Sequence, residues 1–274
     1  MIHAAQAVLM LALAPLIQGV MATIRARSNG RPGPSVLQPY RNLRKLLNKE
    51  AVVALKTSPL ALAAPGLSVG VAATLVLLVP GFFPTPEIAP DAVAIALTLS
   101  LGRFVLVLAA LDTRSSFEGM AASREATFAV LTEAPLILAL ISIDAGVQSP
   151  IPRMLAGIAL VLVSLYETAR IPVDNQETHY ELTMIHEGLI LEYSGWHLGL
   201  LQYASHLRQL ALLLLAAMLL PGPAPLAWLA FILLAIPLIE RFVAKMRLFE
   251  VPAIFATATI LALTALVIRI GGSA

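Results

Sequence analysis

Apolar stretches of roughly 20 residues recur eight times along the chain, at about 2–24, 58–79, 91–111, 124–143, 151–169, 198–220, 225–242 and 251–270. Breakers stand between several of them: Pro80-Gly81, Ser149-Pro150 and Pro221-Gly222-Pro223. Runs of this length read as membrane spans. In lipid a span must satisfy its own backbone hydrogen bonds, so each is predicted to be a helix. The stretches at about 124–143 and 151–169 are the weakest, because polar residues interrupt them. The pattern predicts an all-α, polytopic integral membrane protein with about eight transmembrane helices. It forms a single domain over 1–274, with no internal repeat or low-complexity tract.

Two longer polar segments break the rhythm, at about 25–57 and 170–197. The first begins with Gly30-Arg31-Pro32-Gly33-Pro34, which cannot be regular helix. Gln38-Pro39-Tyr40-Arg41-Asn42-Leu43-Arg44-Lys45-Leu46-Leu47 follows. Pro39 suits a first helical turn. Tyr40, Leu43 and Leu47 fall on one face, with Arg41, Arg44 and Lys45 mostly on the other. That is an amphipathic helix lying in the membrane interface. It serves either as a basic loop on anionic headgroups or as a floor on which a partner docks through Gln38, Tyr40, Arg41, Arg44 and Lys45.

The second segment is acidic, with Asp174, Glu177, Glu181, Glu187 and Glu192. Glu177 and Glu181 are four apart and would share a helix face. Leu182, Met184, Ile185, Leu189, Ile190 and Leu191 are mixed with the acids. Such a mixture suits a segment folded back on the protein better than a solvated loop. His186-Glu187 is not a zinc-protease motif, because Ile190 stands where the second His is needed.

Composition narrows the class. The chain is 59% hydrophobic and 12% charged, against about a quarter charged in soluble domains. It has no cysteine, which excludes thiolate-bound clusters and zinc from this chain. No metal or cofactor is expected in it. The first span reads as a retained helix, since no Lys or Arg precedes it and Arg25 and Arg27 follow it.

Charge placement sets the orientation. The segment after the first span carries Arg25, Arg27, Arg31, Arg41, Arg44, Lys45, Lys49 and Lys56, and loops on the same side add Arg114, Arg124, Arg170, Arg241, Lys245 and Arg247. The other side has Arg153 and Arg269. A bias of 14 to 2 predicts that the N- and C-termini lie outside and both long segments in the cytoplasm.

Ionisable residues also fall within or beside the spans: Asp112, Glu125, Glu133, Glu167 and Glu240, with Arg103 and Arg208. A charge at mid-bilayer costs about 2.5–3.5 kcal/mol on insertion scales. Partial desolvation favours a protonated carboxyl, which suits reversible protonation. Asp112, Glu125, Glu133 and Glu167 are therefore candidates for a proton path, with Arg103, Arg124 and Arg170 as counter-charges. Interhelical ion pairs are the alternative. Gly66 and Gly70 form a GxxxG, usually a packing signal.

Longer motifs carry a family resemblance. Gly33-Pro34 through Gln38-Pro39-Tyr40, with Lys45-Leu46-Leu47 and Lys49-Glu50, resembles the first cytoplasmic loop of the respiratory complex I subunit 1 family. Leu111-Asp112-Thr113, Ser115-Ser116-Phe117 and Ala122-Ser123-Arg124-Glu125 look like the version in membrane-bound (group 4) hydrogenases. Glu167, Arg170-Ile171-Pro172-Val173-Asp174, Glu177, Glu181-Leu182 and Glu192-Tyr193-Ser194-Gly195 resemble the family's acidic loop. The stretch from Ile171 to Gly195 is similar to that of the hydrogenase-4 and formate hydrogenlyase branch.

The resemblance implies a non-catalytic membrane anchor for a peripheral electron-transfer arm in a bacterial or archaeal cytoplasmic (inner) membrane. The implied partners are hydrogenase-like large and small subunits, an iron–sulfur subunit, antiporter-like membrane subunits and lipid, with no nucleic acid. Iron–sulfur clusters, and nickel–iron where present, would sit in those partners. In this family the acids couple redox chemistry to movement of protons or sodium. Two other functions compete: the quinone-site subunit of an NADH dehydrogenase, and a stand-alone secondary transporter. A transporter predicts repeats or paired broken helices, and neither is evident.

Overall fold

The computed structural model describes residues 2–52, 57–79, 81–82, 91–142, 149–174, 184–222 and 224–271, with side chains from residue 5. Among them are eight long helices: α1 (Ile2–Ser28), α3 (Pro59–Leu78), α4 (Ala92–Asp112), α5 (Ser116–Ile141), α6 (Pro150–Glu167), α7 (Gly195–Leu219), α8 (Pro225–Phe242) and α9 (Val251–Gly271). A short α2 (Gln38–Leu47) and a 3-10 turn (Glu187–Ile190) complete the set. Each long helix coincides with one apolar stretch of the sequence.

Local signals start these helices. Ser58 caps α3 by accepting from the amides of Leu60 (3.1 Å) and Ala61 (3.4 Å), with Pro59 in the first turn. Asp91 caps α4 in the same way, through Val93 (3.0 Å) and Ala94 (3.1 Å). Side-chain caps matter here because the first amides of a helix have no partner within it.

Six of the long helices are apolar enough throughout to cross a membrane; α5 and α7 are long enough but more polar. The architecture explains both exceptions. Helix α7 is the axis of the bundle and packs against α1, α2, α3, α6 and α8. Its second half, from Leu210 to Ala217, is buried on every side. Its polar first half, with Gln202, His206, Arg208 and Gln209, borders a cavity. Helix α5 packs against α4, α6 and α9 and turns Glu118, Glu125 and Thr132 inward. In both helices these polar residues face protein instead of lipid, as intramembrane polar groups must.

Helix α2 corrects one reading of the sequence. The predicted buried face was Tyr40, Leu43 and Leu47. In the structure Pro39 and Leu43 are buried, Leu46 is half-buried, and Leu47 is 49% exposed. The cause is that α2 lies on α1 and α7. Gly19 of α1 lets the Val36 carbonyl and Pro39 come close, where any Cβ would collide with that carbonyl. Tyr40 reaches sideways and donates to the Ala12 carbonyl. Gly66 and Gly70 are both exposed, and among the described residues nothing lies within 4 Å of where their Cβ atoms would be.

The segments rich in Lys and Arg gather at one end of the bundle. There Arg25 pairs with Glu240 (2.9 Å), Lys245 with Asp174 (2.7 Å), and the Met246 amide donates to the Pro172 carbonyl (2.8 Å). Arg153 and Arg269 bond to the Met218 and Ile141 carbonyls at the opposite end.

The polar segment after α1 and the one before α7 are joined through Val52 and Ser194. Ser194 Oγ accepts from the Val52 amide (2.8 Å) and donates to its carbonyl (3.1 Å). Gly195 has φ +53°, and a Cβ there would lie 2.2 Å from the Glu50 carbonyl oxygen. Gly195→Ala is thus expected to destabilise the protein by about 1–3 kcal/mol from its backbone conformation alone, whereas Gly66→Ala should be near neutral. Thermal unfolding in detergent checks this, and equal midpoints for the two variants would contradict it.

Candidate functional site: a buried polar chain beside a cavity

At mid-bundle, the Arg103 side chain of α4 is 3% exposed. Its guanidinium donates to Thr132 Oγ1 (2.7 Å) and pairs with Glu133 (3.3 Å) on α5 and Glu167 (3.2 Å) at the end of α6. Ser100, one turn before Arg103 on α4, donates to Glu133 at 2.6 Å. Three helices thus converge on one cation. Glu167 is fully enclosed, while Glu133 is 37% exposed toward a lateral groove of about 450 Å³ between α4 and α5.

A second group leads from there to the polar end. Glu125 of α5 accepts from the Tyr166 hydroxyl at 2.7 Å. His186 Nε2 lies 3.6 Å from the same carboxylate, and its Nδ1 lies 3.8 Å from Asp174. Asp174 also accepts from the amides of Ile185 (3.3 Å) and His186 (3.4 Å) and from Lys245. Burial works against the Asp174 carboxylate, but His186 and Lys245 outweigh it and hold its pKa well below the usual range. Burial also disfavours charged His186. Glu125 and Asp174 overcome it, so the imidazole pKa is raised.

The other candidates take different places. Asp112 accepts from Ser58 and sits in a separate group at the ends of α3, α4 and α5. In that group Glu118 accepts from Thr113 and from the Glu192 amide (2.9 Å), and the Tyr193 hydroxyl donates to the Ala61 carbonyl (2.9 Å). Arg124 donates to the Met184 carbonyl (2.8 Å) and so seats the start of the 184–194 segment. Arg170 pairs with Glu240 (3.4 Å) and donates to Gln18, inside the α1–α7–α8 seam and apart from the Arg103 cluster. Arg41, Arg44, Lys45 and Glu192 are exposed, and Glu187 is half-buried. Glu177 and Glu181 lie outside the described residues.

A cavity of about 600 Å³ runs between α1, α2, α3, α4, α7 and the 184–190 segment. Gln38 and Asn42 border it at the polar end, Glu125, His186 and Glu187 along one wall, and Arg103, Glu167 and His206 deeper in. His206 Nδ1 and Ser68 Oγ are buried there without a hydrogen-bond partner. Arg103 and Glu125 wall both this cavity and the lateral groove. Among the described residues no three His, Asp or Glu side chains gather as a metal site.

Sequence reasoning missed His186, Tyr166, Glu118 and Lys245. His186 was weighed only as a metal ligand. Its burial signal was present, since Met184, Ile185 and Leu189 surround it in the chain.

These features define an all-α membrane subunit with a charged face at one end and a polar interior joined to it. The chain belongs to the NADH dehydrogenase family, whose model matches residues 2–270; this is the complex I subunit 1 family. It is 32% identical over 226 residues to hydrogenase-4 component C of Escherichia coli, covering 76% of this chain and 71% of that protein. It is 32% identical over 228 residues to formate hydrogenlyase subunit 4 of the same organism, covering 76% and 73%. It shares its fold with a chain of the membrane-bound sulfane sulfur reductase, an archaeal respiratory membrane complex. There the TM-score is 0.78 at 19% identity, over 98% of this chain and 100% of the other.

The His186 shift has a testable sign. A raised folded pKa means that the stabilisation is complete below the ordinary value of 6.5 and is lost as pH rises through the folded value. His186→Gln should therefore cost more stability near pH 6 than near pH 9. Thermal midpoints of both proteins across that range are the check, and a pH-independent difference would contradict it.

Proposed function

We propose that this chain is the membrane-anchor subunit of a hydrogenase-like, complex I-related oxidoreductase. It docks a peripheral electron-transfer arm on its charged face and moves protons, or sodium, between that face and the membrane interior. The observation that carries this reading is the run of ionisable groups from Lys245, Asp174 and His186 through Glu125 to Arg103, Glu167 and Glu133, beside a cavity open toward the charged end. One guanidinium stands among three carboxyl groups, which leaves room for a proton in the cluster. The family and the two Escherichia coli relatives support the setting.

The implied partners are hydrogenase-like large and small subunits, an iron–sulfur subunit and antiporter-like membrane subunits. Arg41, Arg44, Lys45 and Gln38, with the acidic segment beside them, are the surface offered to the arm. Glu177, Glu181 and Glu187 belong to the same surface in this reading. Asp112 serves as a side branch at the cytoplasmic end, and Arg124 and Arg170 hold the loop in register.

Glu133 gives the cleanest test. Breaking a buried pair typically costs about 3–5 kcal/mol, so Glu167→Gln risks the fold. Glu133→Gln leaves Arg103 paired with Glu167. Complexes carrying Glu133→Gln, in sealed vesicles, are expected to assemble and to reduce artificial acceptors normally, while proton translocation falls at least about tenfold. Normal translocation would remove Glu133 from the path.

Orientation is tested in the same membranes. The chain lacks cysteine, so single replacements label cleanly. Arg41→Cys is expected to react only from the cytoplasmic side and Ser149→Cys only from the outside. The reverse pattern would invert the topology.

The cavity favours a second reading, a quinone-site subunit of an NADH dehydrogenase. Its volume and mixed lining fit an amphipathic ring, and the unpartnered His206 Nδ1 is a group that would face it. A bound quinone would supply two-electron redox chemistry at the arm. Stoichiometric quinone extracted with the complex, and lost in His206→Leu, would favour this reading over the first.

A further inference from the structure

His186 faces two carboxylates at once, and neither contact is a formed hydrogen bond. The separations are 3.6 Å to Glu125 and 3.8 Å to Asp174, beyond normal hydrogen-bond length. Both ring nitrogens are buried without a hydrogen-bond partner. A histidine serving only as packing would have at least one nitrogen satisfied. This one meets the Tyr166 ring edge-on, with centroids 4.8 Å apart, and borders the 600 Å³ cavity.

We infer that His186 carries protons between the cavity and Glu125, and that Asp174 positions it. The inference rests on the proton path proposed above and names its entry residue. The roles follow from the partners. Asp174 is committed to Lys245 and two backbone amides, so it stays ionised and orients the ring. Glu125 accepts from Tyr166 through its Oε2, and a carboxylate has further acceptor sites for a proton.

In the step itself the imidazolium gives its Nε2 proton to the Glu125 carboxylate. Neutral imidazole and a carboxylic acid result. Glu125 passes that proton on to a carboxylate of the Arg103–Glu167–Glu133 cluster, the ring takes a solvent proton from the cavity at Nε2, and the charged pair is restored. No electron moves, and one proton advances per cycle. Shortening the Nε2–Glu125 distance by roughly 0.6 Å makes the hydrogen bond through which it passes.

Every neighbouring element contributes a group to this balance. Glu125 of α5 and Asp174, backed by Lys245 from the α8–α9 connection, favour the cation. Arg208 of α7 opposes it. Tyr166 of α6 supplies the ring edge, and Glu187 is the next residue in the chain.

The test uses the assembled membrane complex in vesicles with His186→Ala, with and without added imidazole, since the cavity is large enough to admit the free base. Proton translocation is expected to fall at least about tenfold while arm assembly and artificial-acceptor activity persist. Imidazole should restore much of it, and 4-methylimidazole should shift the pH profile of rescue according to its own basicity. Unchanged translocation, or a loss that neither base restores, would overturn the inference. If His186→Ala fails to assemble, His186→Gln decides: loss of translocation supports the inference, and normal translocation overturns it. Glu125→Gln, measured in parallel, separates the two levels. Normal translocation there sinks the path itself. Loss there, with normal translocation in the His186 variant, sinks this inference alone.

Discussion

The bundle is organised around one buried cation. Arg103 sits in the middle of α4, and its side chain is 3% exposed. Uncompensated charge at that depth costs several kcal/mol or more. Removing one partner of a buried pair typically costs about 3–5 kcal/mol. Two helices therefore have to deliver acceptors to a third. Helix α5 supplies Thr132 and Glu133, and α6 ends where Glu167 can meet the guanidinium. The same demand explains why α5 is too polar to look like an ordinary span.

The polar end obeys a related rule on a larger scale. Glu240 lies between Arg25 and Arg170, which ties the ends of α1 and α8 to the chain leaving α6. Asp174 and Lys245 tie the segment after α6 to the α8–α9 connection. Val52, Ser194 and Gly195 lock the polar segment after α1 to the start of α7. Residues 184–194 thus wall the cavity, held by Asp174 through the Ile185 and His186 amides, by Arg124 and by the Ser194–Val52 pair.

How much of this was legible in the sequence depended on the range of the signal. The eight long helices were readable because lipid fixes both length and apolarity. Glu125, Glu133 and Glu167 were readable because a carboxyl at such depth is expensive wherever its partner lies. The partners themselves were not. Nothing local says that Arg103 meets Glu167, or that Arg170 turns to Glu240. The buried face of α2 was misread for the same reason: the pattern assumed a bed of lipid, whereas Gly19 and α7 supply a bed of protein. Glu192-Tyr193-Ser194-Gly195 carried a family signature, but its physical purpose appears only in space, where Gly195 avoids Glu50 and Ser194 grips Val52.

The central claim is that buried carboxyl groups of this chain change protonation during turnover. Difference infrared spectroscopy of the assembled complex, triggered by its electron donor, reads this directly. The account predicts a carboxyl carbonyl band that appears or shifts on turnover, moves in heavy water, and is lost in Glu133→Gln. A turnover spectrum with no carboxyl protonation change, from a complex that still translocates protons, would contradict it.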